Sequence, residues 1–198
     1  MIRLIGMGPG SIKHLTLEAM DAILSSDIVI AFGRLSKTAE LIKAEVLTIE
    51  RVDQVIELLD DKSNIAILAS GDPCFYGILD FLQRKEITID KVIPGISSLQ
   101  YMMAKLQKSW HDATLVSFHG RECSIESIKK CKSAILLTDS KYTPNHISKM
   151  LYDFGLRGKI FAGFNLSYED ELIVEKEIGA AIEDISTLAL VVIENEVD

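Results

Sequence analysis

The residues best placed to do chemistry in this chain lie in three loops of small residues, each following a short apolar run. Gly6-Met7-Gly8-Pro9-Gly10 follows Ile2–Ile5, Ser70-Gly71-Asp72-Pro73 follows Ile65–Ala69, and Pro94-Gly95-Ile96-Ser97-Ser98 follows Lys91–Ile93. Short apolar runs that break into Gly, Pro and Ser read as strands entering turns. In open α/β sheets ligands sit beyond the carboxyl ends of the strands, so a Gly-Asp-Pro loop at such an end is a candidate binding site. The same residue types also build ordinary tight turns, and from these residues alone both readings stand.

The reactions open to these loops are few. The glycines after the first run superficially match a dinucleotide fingerprint, but Ser11 interrupts it, no Gly or Ala follows at the required place, and Pro9 lacks a backbone donor. No acidic residue ends the run Asp27–Ala31 to hold a ribose diol, which further disfavours a dehydrogenase. Cys74, Cys123 and Cys131 are odd in number and scattered. That pattern argues against a disulfide framework or a zinc site and for a reducing compartment, the cytoplasm. Cys74 reads as a small packing residue. Neither a catalytic triad nor a metal-ligand cluster is visible.

The loops need elements to hold them. Helical spacing follows the first loop from Leu15 through Ile23 and Leu24, and further helices are expected at Leu35–Ala44, around Val52–Leu59 and at Ile78–Arg84. Ser97 or Ser98 is placed to cap a helix whose apolar face is Leu99, Met102, Met103 and Leu106. Residues 1 to about 107 thus alternate strand and helix, which predicts a mostly parallel sheet covered on both faces. Periodicity lapses at Lys108-Ser109-Trp110-His111-Asp112, the expected linker. Beyond it, strands at Ala113–Phe118, Ala134–Leu137, Lys159–Leu166, Leu172–Ile178 and Leu188–Glu194 surround a helix begun by Thr143-Pro144 and stopped by Gly155. With no long helix between the last of these, residues 113–198 are expected to form a mixed sheet with antiparallel partners.

The chain has 198 residues, 48% hydrophobic and 25% charged, with a formal net charge of -8. That charge opposes a nucleic-acid backbone as the main partner. The apolar runs fall far short of the roughly 20 residues that span a bilayer, and the N-terminus reads as a strand rather than a signal peptide.

Taken together and in order, the three loops and Leu15-Thr16-Leu17 resemble the tetrapyrrole methylase family of S-adenosylmethionine-dependent methyltransferases. Within it, Phe75-Tyr76-Gly77, Trp110-His111-Asp112-Ala113 and Ser117-Phe118-His119-Gly120-Arg121 look like the corrin-pathway branch that methylates carbon 5 of the macrocycle. The resemblance covers essentially the whole chain. That branch also occurs fused to a second enzyme acting at carbon 15, for which the sequence up to Asp198 leaves no room, so carbon 5 methylation alone is expected.

The resemblance implies two α/β domains with the cofactor, S-adenosylmethionine, in the cleft between them, a corrinoid substrate and a homodimer. It places Pro9, Gly71, Asp72, Pro73, Phe75, Ser97 and Ser98 at the cofactor, with Leu137, Asp139, Asn165 and Leu166 supporting the adenosine. Glycines would there let backbone approach the ligand. Asp72 is the expected catalytic residue, able to stabilise positive charge on the macrocycle or to take a proton after methylation; its alternative is to bond only its own turn. His119, Arg121 and Tyr76 are the expected substrate contacts, Arg121 suiting a substrate rich in carboxylates. Two further readings stay open: a methyltransferase of the same fold acting on another tetrapyrrole, RNA or protein, and a non-catalytic module that keeps the cofactor pocket.

Overall fold

The computed structural model describes residues 1–59, 63–118 and 125–196. The chain divides into two compact units, Met1–Ser98 and Leu99–Asp198.

In the first unit β1 (Ile2–Gly6), α1 (Leu17–Leu24), β2 (Ile28–Phe32), α2 (Gly33–Glu40), β3 (Leu47–Ile49), α3 (Gln54–Glu57), β4 (Ile65–Ala69), α4 (Leu79–Arg84) and β5 (Lys91–Ile93) alternate as expected. The strands form one sheet in the order β3-β2-β4-β1-β5, with every pairing parallel. Side chains along a strand point to alternate faces, and two cores result. Ile5, Val29, Ala31, Ala66 and Leu68 meet Ala19, Ala22 and Ile23 of α1 and Leu35 and Ala39 of α2. Leu4, Ile30, Ile65 and Ile67 meet Val55 of α3 and Leu82 of α4 on the other face. Both faces being covered explains why β4 reads as a continuous apolar run. Each such fully buried Leu or Ile contributes about 1.5–3 kcal/mol. The helix expected at Leu35–Ala44 begins two residues earlier, at Gly33, and ends at Glu40.

The chain leaves β1 towards β2 and leaves the neighbouring β4 in the opposite sense, towards β5. The loops after β1 and β4 therefore lie at the point where connections reverse direction, which is where open α/β sheets bind ligands.

The second unit holds α5 (Ser98–Leu106) from Leu99 onward, then β6 (Thr114–Ser117), α6 (Ile125–Lys129), β7 (Ser133–Leu137), α7 (Pro144–Asp153), β8 (Gly158–Phe164), β9 (Leu172–Glu177) and β10 (Ala189–Asn195). Its sheet order is β6-β7-β10-β8-β9; β6 and β7 are parallel and the other pairings antiparallel, the mixed sheet expected. Val116, Leu136, Ile147, Leu151, Phe164 and Val191 lie in its core. The signals read for α7 act as such: Thr143 Oγ1 accepts the His146 N–H at 3.2 Å, and Pro144 needs no partner at the first helical position. At the far end Gly155, at φ 86°, donates to Tyr152 O at 2.9 Å while Leu156 N–H reaches Leu151 O at 3.0 Å.

The units part at the head of α5, whereas the lapse at 108–112 placed the linker behind that helix. The contacts of α5 explain the difference. A Cβ on Gly163 of β8 would stand 2.7 Å from Met102 Sδ, Lys105 pairs with Glu171 at 2.7 Å, and just past the helix Lys108 pairs with Glu194 at 2.7 Å. None of these partners is near in sequence. Among the described residues no helix is long and apolar enough to cross a membrane.

Arg3, only 8% exposed, ties β1 to the end of α1. Its Nη1 and Nη2 donate to Ser25 Oγ at 3.0 Å and Ser26 Oγ at 2.9 Å, while Nε has no partner. Both hydroxyls in turn donate to Ala22 O, at 3.3 and 2.7 Å. The last turn of α1 carries no basic residue of its own, so the guanidinium supplies the positive charge a helix C-terminus favours. Ser26→Ala strands a buried charged donor and is expected to cost about 1.5–3 kcal/mol. Arg3→Met removes the charge together with its orphan Nε, leaves both serines bonded to Ala22, and should cost about 1 kcal/mol or less. Urea denaturation of the two variants measures the order, and the reverse order refutes this account.

Candidate functional site

The three loops at the carboxyl ends of β1, β4 and β5 are joined through their backbones. Gly71 N–H donates to Gly8 O at 2.8 Å and Gly8 N–H to Gly71 O at 3.3 Å, an isolated antiparallel bridge between two parallel strands' exits. Both glycines have left-handed φ, 73° and 63°. A Cβ on Gly6 would lie 2.5 Å from Gly95 N and 2.7 Å from Gly71 O; one on Gly95 would lie 2.2 Å from Gly71 O. At Gly6 and Gly95, then, the backbone that approaches is the protein's own. Gly8 has both its backbone groups engaged with Gly71, so this loop does not offer the phosphate cradle of a dinucleotide fold.

Asp72 is half-buried and uses both oxygens on backbone. Oδ1 accepts the Cys74 N–H at 2.8 Å, closing its own turn, and Oδ2 accepts the Gly95 N–H at 3.3 Å, reaching across to the loop after β5. Pro73 is buried and Phe75 half-buried. The turn curls so tightly that a Cβ on Gly77 would meet Pro73 O at 2.3 Å. Its apex, Tyr76, sits at φ 50° with 43% of its surface exposed, edge-on to Phe75 with ring centroids 4.8 Å apart. A left-handed tyrosine costs on the order of 1–3 kcal/mol, and such strain clusters at binding sites. Tyr76 is thus displayed, not closing a core. Cys74 is also exposed, correcting its reading as a packing residue; partial burial of the thiol and the Asp72 carboxylate push its pKa up, away from a reactive thiolate. Pro9 is buried, with Gly10 O taking a hydrogen bond from Thr38 Oγ1 at 3.2 Å. Ser97 is buried to 7% exposure and Ser98 opens α5.

In the second unit β7 and β8 both run against β10, so they end at the same edge of the sheet. Leu137 lies opposite Leu190 and Phe164 opposite Ala189. Thr138 Oγ1 donates to Ala189 O at 2.7 Å and Asn165 N–H to Leu188 O at 2.9 Å. Asp139 Oδ1 accepts from Lys141 N–H at 2.8 Å and Tyr142 N–H at 2.6 Å, turning the chain towards α7. Asn165, at φ 47°, accepts from Ser186 Oγ at 2.7 Å and donates to Asp170 Oδ2 at 2.8 Å. Leu166 is buried. The four second-unit residues expected at the adenosine therefore gather at one sheet edge.

The sequence reading missed a cluster beside them. Glu171 pairs with Lys105, whose ammonium lies 5.6 Å from the Tyr101 ring centroid. Burial alone would raise the Glu171 pKa, but Lys105, the Ser167 N–H and Tyr101 together hold it below the ordinary value; Lys105 is raised by Glu171. Tyr101 and Lys105 are one helical turn apart and could have been paired by spacing; their partner, distant in sequence, could not. His119 and Arg121 lie outside the described residues. Among the described residues no group of His, Cys, Asp and Glu could hold a metal ion.

An all-parallel unit with its loops joined at the strand ends, followed by a mixed one, defines an α/β protein, a class in which ligands bind beyond the carboxyl ends of the strands. The model of the Tetrapyrrole (Corrin/Porphyrin) Methylases matches residues 1–182, and the chain belongs to that family. It is 33% identical over 193 residues to a probable cobalt-precorrin-7 C(5)-methyltransferase of Methanocaldococcus jannaschii, covering 90% of each chain. To the cobalt-precorrin-7 C(5)-methyltransferase of Salmonella typhimurium it is 30% identical, over 98% of this chain and 99% of the other. Two solved structures share the fold: a cobalamin-biosynthesis precorrin-6Y methylase of Archaeoglobus fulgidus (TM-score 0.77, 22% identity, 100% and 99% coverage) and a uroporphyrin-III C-methyl transferase of Thermus thermophilus complexed with S-adenosyl homocysteine (TM-score 0.77, 19% identity, 98% and 96%). The chain is a methyltransferase that uses S-adenosylmethionine.

Asp72→Asn separates holding from chemistry. An amide offers one acceptor, so with its oxygen on Cys74 its nitrogen would face the Gly95 N–H donor against donor. A holding role predicts a lower melting temperature and a cofactor Kd raised about tenfold, equivalent to about 1.4 kcal/mol. Unchanged affinity and stability with a collapsed single-turnover rate would instead assign Asp72 to the chemistry.

Proposed function

We propose that this chain methylates carbon 5 of a corrin-ring precursor of the cobalt-precorrin-7 type, a step in cobalamin biosynthesis. The observation that carries this reading is the identity of 30–33% to two enzymes of that name over at least nine-tenths of the chain.

The residues present suit the cofactor. In the first unit Asp72, Ser97 and Ser98 carry a carboxylate and two hydroxyls suited to an ammonium and a carboxylate, and the half-buried Phe75 carries an apolar ring suited to a nucleoside; in the second unit the half-buried Leu137 is suited to the same group. S-adenosylmethionine, when bound, supplies both the electrophilic methyl and its own leaving group. The protein's task is then to hold donor and acceptor carbons in line, and such positioning accounts for roughly 7–11 kcal/mol of barrier lowering. Loops packed on one another at Gly6 and Gly95 and bridged at Gly8 and Gly71 provide that fixed frame, to which Asp72 adds its two backbone contacts. Tyr76, His119 and Arg121 are assigned to the substrate, Arg121 by pairing with peripheral carboxylates. Incubation with a cobalt-precorrin-7 preparation and methyl-labelled S-adenosylmethionine should add one methyl group by mass spectrometry, located at carbon 5 by NMR. A methyl group at another ring position, or on RNA or protein instead, overturns the assignment.

We further infer a homodimer in a reducing compartment, the cytoplasm, where the free thiols of Cys74 and Cys131 persist. Leu17 and Leu41, at 86% and 73% exposure, supply apolar surface for a partner. Sedimentation equilibrium at low micromolar concentration should give twice the chain mass; a monomer there refutes the dimer.

A further inference from the structure

The segment Asn165–Ser167 carries two non-glycine residues in the left-handed region, Asn165 at φ 47° and Ser167 at φ 69°, on either side of the buried Leu166. Backbone held this way persists only where its surroundings over-determine it. Asn165 is fixed by Leu188, Ser186 and Asp170. Ser167 is fixed by Glu171, whose Oε2 accepts its N–H at 2.6 Å. The other oxygen, Oε1, takes the Lys105 ammonium at 2.7 Å, and Tyr101 hydrogen-bonds the same carboxylate. The Glu171 side chain is 16% exposed. Met102, on the same helix as Lys105 and Tyr101, packs at Gly163 beside the Leu166 side chain. A lysine–carboxylate pair by itself contributes little. Here the carboxylate is already oriented by two α5 side chains, and the group it holds is the N–H of a strained turn.

We propose that Glu171 is a positioning residue for the cofactor: fixed by Lys105 and Tyr101, it holds the Asn165–Ser167 turn in the conformation that binds S-adenosylmethionine. This rests on the reading that Asn165 and Leu166 support the adenosine. Glu171 touches neither methyl nor acceptor, so its loss weakens binding and spares the chemical step.

Calorimetry and steady-state kinetics on the full chain test this. Glu171→Ala should raise both Kd and KM for S-adenosylmethionine about tenfold or more, with kcat at saturation within about twofold of the parent, the pattern of lost binding that is equal in ground and transition states. Glu171→Gln, which keeps an acceptor for the Ser167 N–H, should recover most of the affinity. Lys105→Met should weaken binding in the parent and have no further effect on Glu171→Ala, because the two act through one carboxylate. Amide exchange at Ser167 should accelerate in Glu171→Ala. Equal cofactor affinity in Glu171→Ala and the parent overturns the proposal alone, as does a fall confined to kcat. A parent protein that binds no S-adenosylmethionine overturns the cofactor reading and this proposal with it. Should Glu171→Ala not fold, Lys105→Met decides: unaltered Kd and unaltered Ser167 exchange in that variant refute the positioning role.

Discussion

Two glycines, Gly6 and Gly95, whose missing side chains let three loops touch are what the first unit depends on. A single methyl group on Gly6 or Gly95 would collide with backbone, which cannot swing aside as a side chain can. Because β1, β4 and β5 are adjacent and parallel, their exits already lie together; the absent Cβ atoms turn nearness into contact. The Gly8–Gly71 bridge and the Asp72 carboxylate then fasten what the glycines permit. Such a frame has little left to reorganise when a ligand arrives, which is the condition under which positioning becomes catalysis.

The second unit reaches the same end by other means. Its sheet is mixed, so strand exits that lie together come from strands on either side of an antiparallel partner: β7 and β8 flank β10. Hydrogen bonds, not absent side chains, join the exits here. The Thr138 hydroxyl and the Asn165 backbone N–H bond the start of β10, and Glu171 ties the turn after Asn165 to α5. Positive φ at Asn165 and Ser167 is held by hydrogen bonds, where at Gly8 and Gly71 it comes without steric cost. In the first unit Tyr76 also takes this conformation without being glycine: an exposed left-handed tyrosine that the tight turn before Gly77 maintains.

Asp72 joins a chemical and a structural possibility in one side chain: a carboxylate in a loop at a strand end is available to chemistry, and here both of its oxygens accept backbone N–H groups. Its neighbour Cys74 was read as packing and is exposed, because the turn that Asp72 closes carries it outward.

The sequence alone determined the alternation of strands and helices in the first unit, the mixed sheet of the second, the three loops and the caps of α7, because periodicity, Gly, Pro and capping hydroxyls act over a few residues. Leu137, Asp139, Asn165 and Leu166, singled out only through the family resemblance, lie at one edge of the second sheet. Only the tertiary structure decided what Gly6 and Gly95 are small for, which unit claims α5, and that Glu171 stands between Lys105 and Ser167. Each of those depends on a partner far along the chain, and nothing in a local pattern records the distance to an atom that folding alone brings near.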